Sequence, residues 1–81
     1  MSEERLKFLG RRGELDLKKK SLELRIEALV NGTRDELDPM KPFPDLRTDL
    51  IVSMALELAE TCDRLREVLV ELKKIQDILG R

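Results

Sequence analysis

The acidic residues in the second half of the chain are the side chains closest to a set that could bind a metal ion or transfer a proton. They are Glu57, Glu60, Asp63, Glu67 and Glu71. The chain has no histidine, which is the commonest general base and a usual companion of carboxylates in the metal sites of helical bundles. It also has no pair of cysteines for zinc and no glycine-rich phosphate loop. We therefore predict that these carboxylates face solvent, with no catalytic residue, no metal and no cofactor.

The single cysteine, Cys62, could act as a nucleophile only if its surroundings lowered its pKa. No neighbouring residue type clearly does so, and we predict a packed thiol. A lone cysteine excludes an intramolecular disulfide and fits a reducing compartment. Because no apolar run is long enough for a membrane span or a signal peptide, we expect a cytoplasmic protein without membrane contact.

Basic residues in the first part of the chain are the candidates for nucleic-acid contact. Segment 1–30 carries eight basic and six acidic residues, a net charge of +2, whereas the whole chain has a net charge of −1. No aromatic side chains accompany them to stack with bases. Nucleic-acid binding is therefore the alternative function, and its candidate residues are Arg11, Arg12, Lys18, Lys19 and Lys20.

The elements that carry these residues are predicted to be helices. Charged residues make up 41% of the 81 residues and aromatics 2%, which is typical of long helices and coiled coils. In the second half, leucine or isoleucine recurs every seventh residue, and a second set of residues follows four positions after each. This pattern predicts a helix of about 46–79 with a seam formed by Ile51, Ala55, Leu58, Cys62, Leu65, Leu69, Leu72, Gln76 and Leu79.

A seven-residue repeat also runs through the first part, at Phe8, Leu15, Leu22 and Leu29. It predicts a first helix of about 2–30, capped by Ser2 and ended by Asn31-Gly32, with the glycine in the left-handed conformation. A second apolar line lies roughly opposite the first, so we expect this helix to be contacted from two sides; the line consists of Leu6, Leu17, Leu24 and Ala28.

The connection, 31–45, contains three prolines and cannot be helical across them. The spacing of Thr33 and Glu36 predicts a single helical turn, and Asp45 is the predicted N-cap of the second helix. We predict that Met40 and Phe43 fold back to plug the end of the bundle. The alternative is a displayed proline-rich ligand, and the candidate partner surface is Pro39, Met40, Pro42 and Phe43.

We predict an all-α fold, a single helical-hairpin domain of 1–81 with antiparallel, coiled-coil-like helices. Leu29 would lie near Leu50 and Ile51, and Leu15 near Cys62 and Leu65. One hairpin leaves much apolar surface in water, so we expect a homodimer that forms a four-helix bundle. The predicted self-association seam is Ile51, Ala55, Leu58, Cys62, Leu65, Leu69, Leu72 and Leu79.

One short linker pattern carries a resemblance to a known group of proteins. Leu37-Asp38-Pro39 is followed by Pro44-Asp45-Leu46, between an opening run Arg5–Leu9 and a closing run Ile75–Gly80. With these motifs the chain resembles small uncharacterised helical proteins of Mu-like prophages. The resemblance implies a phage-encoded accessory protein in the cytoplasm of a bacterium or a phage-infected host cell.

The sequence thus favours a non-enzymatic interaction or scaffold protein with an unidentified protein partner. An enzyme is the remaining class, with the dimeric all-helical chorismate mutases as the comparison because they also need no histidine. Those proteins hold a dicarboxylate with cations inside the bundle. Here only Lys19 or Arg12 of the first helix could point inward, and we predict no enzymatic activity.

Overall fold

The computed structural model describes residues 2–80, so Met1 and Arg81, the ends of the predicted 1–81 domain, lie outside the described residues. Two long helices, α1 (Glu3–Glu36) and α2 (Thr48–Leu79), pack against each other along a rod of 62 × 15 × 14 Å. A short 3₁₀ turn, Phe43–Asp45, lies in the connection between them. The predicted all-α hairpin is confirmed.

The first helix begins where the sequence predicts. The Ser2 hydroxyl accepts a hydrogen bond from the backbone N–H of Arg5 at 3.2 Å, and two glutamates occupy the positive end of the helix dipole. The helix continues without interruption through Gly10 and Gly13. A Cβ added to either glycine would have no neighbouring atom within 4 Å, so neither is required by packing inside the hairpin.

The predicted end of α1 at Asn31-Gly32 is wrong, because the helix continues to Glu36. No glycine among residues 2–80 has a positive φ, so Gly32 is an ordinary helical residue. Its missing side chain makes room for α2, since a Cβ there would lie 3.0 Å from the sulfur of Met54. Gly32 thus lies where the two helices approach closely, and α1 continues through it although a glycine alone would favour a stop. The separate turn predicted from Thr33 and Glu36 is instead the last turn of α1.

The connection is shorter than predicted and α2 begins later. Asp45 closes the 3₁₀ turn instead of capping α2, and Leu46 is extended. Arg47 occupies the N-cap position and its side chain makes no capping hydrogen bond. The helix ends at Leu79 with Gly80 after it, as the sequence predicts, and the Gly80 N–H bonds to the carbonyl of Gln76 at 2.8 Å.

The seam between the helices uses only part of the predicted set on α2. The residues at seven-residue spacing are buried or half-buried, namely Ile51, Leu58, Leu65, Leu72 and Leu79. The second set that completes this seam lies three residues after each, at Met54, Thr61, Val68 and Ile75, not four. The spacing of four and three was ambiguous because α2 is apolar on both flanks of its central line.

On α1 the seam includes polar side chains. The predicted line of Phe8, Leu15, Leu22 and Leu29 is buried or half-buried, and its seven-residue spacing continues to the buried Glu36. Leu15 belongs to a cluster with Val68, Leu72 and Ile75, which lie nearer the C-terminus of α2 than the predicted neighbours Cys62 and Leu65. This difference in register follows from the extra turns of α1, which move the reversal point of the chain toward its C-terminus.

Candidate interaction surfaces

A buried carboxylate fixes the closed end of the hairpin. Glu36 is 6% exposed at the last position of α1, and its two oxygens accept hydrogen bonds from Lys41 and Arg47. The Lys41 ammonium lies 3.1 Å from Oε2 and the Arg47 Nε lies 3.2 Å from the same oxygen, while Arg47 Nη2 bonds to Oε1. We call this group of three residues the clasp. Because Lys41 lies in the connection and Arg47 occupies the N-cap position of α2, the clasp joins three segments at one carboxylate.

The clasp shifts the pKa values of its members. Hydrogen bonds from Arg47 are the main cause that holds the pKa of the Glu36 carboxyl below its ordinary value, and burial of the carboxyl opposes them. The bond from Lys41 acts in the same direction as Arg47. The pKa of the Arg47 guanidinium is raised in turn by its hydrogen bond to Glu36. The carboxylate is therefore ionised and matched by cations at neutral pH, as burial of a charge requires.

Two large apolar side chains project from the connection. Met40 is 87% exposed and Phe43 is 88% exposed, so the prediction that they plug the end of the bundle is wrong. Glu36 and its cations occupy the end of the seam that these side chains would have covered. We call Pro39, Met40, Pro42 and Phe43 the loop knob.

The loop knob stands on an ordered backbone. The Asp38 carboxylate accepts a bond from the Met40 N–H at 2.9 Å, and the 3₁₀ turn is closed by bonds from the N–H groups of Asp45 and Leu46. Pro42 and Pro44 restrict φ on either side of Phe43. The predicted partner residues are thus brought together and held in place, with their side chains in solvent.

One side of the hairpin is closed by ion pairs between the helices. Arg25 Nη2 lies 2.6 Å from Oε1 of Glu57, and Arg11 Nη2 lies 3.0 Å from Oε2 of Glu71. The hydrogen bond to Glu71 is the main cause that raises the pKa of Arg11, and a bond to Glu14 adds to it. These pairs are exposed and individually weak, and both join residues at the same register of the two helices. We call this the ion-pair side.

The opposite side carries an apolar strip of α2. At about 100° per residue, the positions four after each seam leucine lie across the seam from Glu57 and Glu71. Val52 and Ala59, each one residue after a seam position, lie beside Ala55, Cys62 and Leu69, and we call these five residues the α2 flank. Val52 is 57% exposed and Leu69 is 42% exposed, while Cys62 is half-buried. The hairpin itself therefore leaves the α2 flank largely open to solvent.

The predicted self-association residues are divided between the seam and the α2 flank. Ile51, Leu58, Leu65, Leu72 and Leu79 lie in the seam between α1 and α2, where the hairpin already covers them in part. Ala55, Cys62 and Leu69 belong to the α2 flank. Leu56 and Val70 lie beside the flank and are 62% and 54% exposed, so they widen the apolar surface on its outer edge.

The basic candidates for nucleic-acid contact are not presented as one patch. Arg11 is bound to Glu71 and Glu14, and Lys19 lies 3.9 Å from Glu23. Arg12 and Lys19 are both half-buried at seam positions, the inward direction that the sequence allowed for them. Only Lys18 and Lys20 are both exposed and absent from the ion pairs formed within residues 2–80.

The acidic residues of α2 are likewise dispersed. Glu57 and Glu71 bind arginines of α1, and Asp63 binds Arg66 of its own helix at 2.6 Å. Among residues 2–80 there is no group of three or more metal-binding side chains placed to hold an ion. None of the helices in this range has the length and apolar character that crossing a membrane requires.

Sequence reasoning missed Glu36 as a structural residue and treated it as part of a capping box. The available signal was the seven-residue spacing, which runs from Leu29 directly to Glu36.

Comparison of the chain with protein-family models, with curated proteins and with solved structures finds no match in any of the three.

Proposed function

We propose that this protein is a non-enzymatic helical interaction protein that self-associates through the α2 flank and presents the loop knob to a protein partner. Two hairpins would bury their open sides against each other in a four-helix bundle, which leaves the ion-pair sides in water. The resemblance to helical proteins of Mu-like prophages supports an accessory role of phage origin.

The observation that carries the proposal is the difference between the two sides of the hairpin. Arg25–Glu57 and Arg11–Glu71 bridge the helices on the ion-pair side. The α2 flank instead exposes Val52 and Leu69 with small residues between them. Several exposed apolar side chains on one side of a helix are typical of a protein–protein contact. Isologous pairing is favoured because the flank combines small residues at Ala55 and Ala59 with a large residue at Leu69.

The loop knob supports the second part of the proposal. Exposed Met and aromatic side chains on a rigid backbone are typical of interface anchors, because little conformational entropy is lost when they bind. The clasp contributes to that rigidity, because Lys41 and Arg47 on either side of the loop knob's Phe43 both bind Glu36. The partner is unidentified, and we expect it to present an apolar pocket to the loop knob.

Absolute mass in solution tests the self-association directly, by size exclusion with light scattering across a wide concentration range. The wild-type chain should have at least twice the chain mass of 9.4 kDa. Leu69→Glu places a charge on the α2 flank and should abolish the contact that the flank makes. The matched control is Ile78→Glu, because Ile78 is 44% exposed, close to the 42% of Leu69, but follows Glu71 by seven residues on the ion-pair side.

A wild-type protein that stays at 9.4 kDa at every concentration would refute self-association. Equal effects of Leu69→Glu and Ile78→Glu would refute the assignment to the α2 flank. Circular dichroism of each variant verifies that the hairpin remains helical, so that loss of association is separated from loss of fold.

A further inference from the structure

The outer face of α1 is an unpartnered apolar face that the proposed function does not use. Leu6, Leu17 and Leu24 are 54%, 70% and 67% exposed, and they point away from α2. At about 100° per residue, Leu6, Leu24 and four smaller residues lie within about 40° of Leu17 around the helix axis. The outer face of α1 consists of Leu6, Gly10, Gly13, Leu17, Ser21, Leu24 and Ala28.

We propose that this face binds the same face of a second copy of the chain, with the two helices antiparallel and the two-fold axis at Leu17. This contact is separate from the α2 flank and does not depend on it. The occupant is a second copy because the face complements itself in both size and charge about Leu17.

The size complementarity follows from the spacing on either side of Leu17. An antiparallel pair centred there places Leu24 of one copy opposite Gly10 of the other, and Leu6 opposite Ala28. Each large residue away from the axis thus meets a small one, while Leu17 meets its own copy. The hairpin gives Gly10 no neighbour within 4 Å of an added Cβ, although an interior glycine costs a helix about 1 kcal/mol relative to alanine. Close approach of a second helix supplies a use for it.

The charges on both flanks of this face also favour the antiparallel arrangement. A two-fold axis perpendicular to the helices brings matching flanks together, so Glu14 lies beside Lys18 of the second copy and Asp16 beside Lys20 of the second copy. A parallel pair would instead place Glu14 beside Asp16, and Lys18 beside Lys20, which like-charge repulsion opposes.

These charges are available for such a contact. Asp16, Lys18 and Lys20 take part in none of the ion pairs formed among residues 2–80, and Glu14 contacts only Arg11 of its own helix, at 3.3 Å. Three like-charge neighbours oppose the pair: Lys7 would lie near Arg25 of the second copy, and Lys18 and Asp16 would each lie near their own copies across the axis, where they are outnumbered by the four opposite-charge neighbours. Glu57 of the same hairpin already neutralises Arg25.

Disulfide trapping of the full chain tests both the contact and its direction. In a Cys62→Ser background, Leu17→Cys places a thiol at the proposed axis, and mild oxidation should give a covalent dimer on a non-reducing gel. Leu24→Cys should not cross-link with itself, because antiparallel pairing puts the two thiols far beyond the Cα separation of about 7 Å that a disulfide allows. A mixture of Leu24→Cys and Gly10→Cys chains should cross-link with each other. Ser53→Cys, on the exposed face of α2, measures random collision.

Each other outcome overturns the proposal in a distinct way. Cross-linking of Leu17→Cys no faster than that of Ser53→Cys would show that this face makes no such contact. Self-cross-linking of Leu24→Cys as fast as that of Leu17→Cys would show a parallel pair. Addition of Leu69→Glu to the Leu17→Cys chain should leave its cross-linking unchanged, so failure of the α2 flank and failure of the α1 face give different results.

Discussion

The three glycines of α1 allow a quantitative test of the continuous helix. Gly10 and Gly13 lie in its interior with open space where a Cβ would project. Alanine at either position should therefore gain the full difference in helix propensity, about 1 kcal/mol in free energy of unfolding. The two changes share no packing partner within the hairpin, so together they should add about 2 kcal/mol. For a domain of this size that gain corresponds to a rise in Tm of about 8–16 °C.

Gly32 is the matched control for this prediction, because it is the same residue in the same helix with a different neighbour. A Cβ at position 32 would lie 3.0 Å from the Met54 sulfur, so the thioether has to move to admit it. Gly32→Ala should therefore gain clearly less than Gly10→Ala or lose stability. In a Met54→Ala background, which removes the sulfur, Gly32→Ala should gain about 1 kcal/mol.

Thermal and urea unfolding of each variant, followed by far-UV circular dichroism at a protein concentration where the chain is monomeric, measures these differences without a contribution from contacts between chains. If Gly10→Ala or Gly13→Ala lowers the stability, the helix is not continuous through that position. If Gly32→Ala gains as much as Gly10→Ala in the wild-type background, the Met54 thioether moves aside without cost and does not oppose a side chain at position 32, which contradicts the prediction.

Further variants address the core, the clasp and the loop knob. Leu15→Ala removes a core side chain that is 2% exposed and should lower the free energy of unfolding, measured with urea, by about 3 kcal/mol. Leu17→Ala is the same change at a residue that is 70% exposed, and it should alter this free energy by no more than about 0.5 kcal/mol at a concentration where the chain is monomeric. Equal losses in the two variants would contradict the assigned faces of α1. Glu36→Gln should lower the free energy of unfolding at neutral pH. Because the pKa of Glu36 in the folded chain lies below its ordinary value of 4.5, the carboxylate contributes stability that is complete above that pH and is lost as the pH falls through the folded pKa. The difference between wild type and Glu36→Gln should therefore shrink below pH 4.5 and vanish in stronger acid, and a difference that does not change with pH would refute the role of the charge. Met40→Ser combined with Phe43→Ser should leave the Tm almost unchanged, since both side chains are in solvent; a large fall would mean that they pack against the bundle after all.

The sequence allowed prediction of the two helices and their antiparallel packing, because the seven-residue spacing from Phe8 to Leu29 and from Ile51 to Leu79 is long and regular. It did not allow prediction of where α1 ends. Gly32 has the local preference of a helix stop, but the last turn of α1 is held by more distant residues: Met54, 22 positions further along the chain, lies close to Gly32, and Lys41 and Arg47 bind Glu36. Local propensity carries no information about such a contact.

The candidate surfaces were predicted only in part, for a related reason. The seven-residue pattern predicts the second set of seam residues at Ala55, Cys62 and Leu69. Because α2 presents apolar side chains on both flanks of its leucines, spacing alone does not say which flank the hairpin covers. The exposed positions of Met40 and Phe43 depend on Glu36, which occupies the end of the seam. A charged residue that takes a core position through two cations is not visible in a pattern of apolar residues.

The contacts that join the helices are ordered by sequence separation from the loop outward. Glu36 and Arg47 are 11 residues apart, Arg25 and Glu57 are 32 apart, and Arg11 and Glu71 are 60 apart. Once the first contact has formed, each later one closes only the short additional segment between it and the previous one, so the loop entropy is distributed over small steps. Folding should therefore proceed from the loop toward the termini, as in a zipper. The last contact, between Arg5 and the Leu79 carbonyl across 74 residues, should be the first to open, and amide hydrogen exchange should be fastest at that end of the rod.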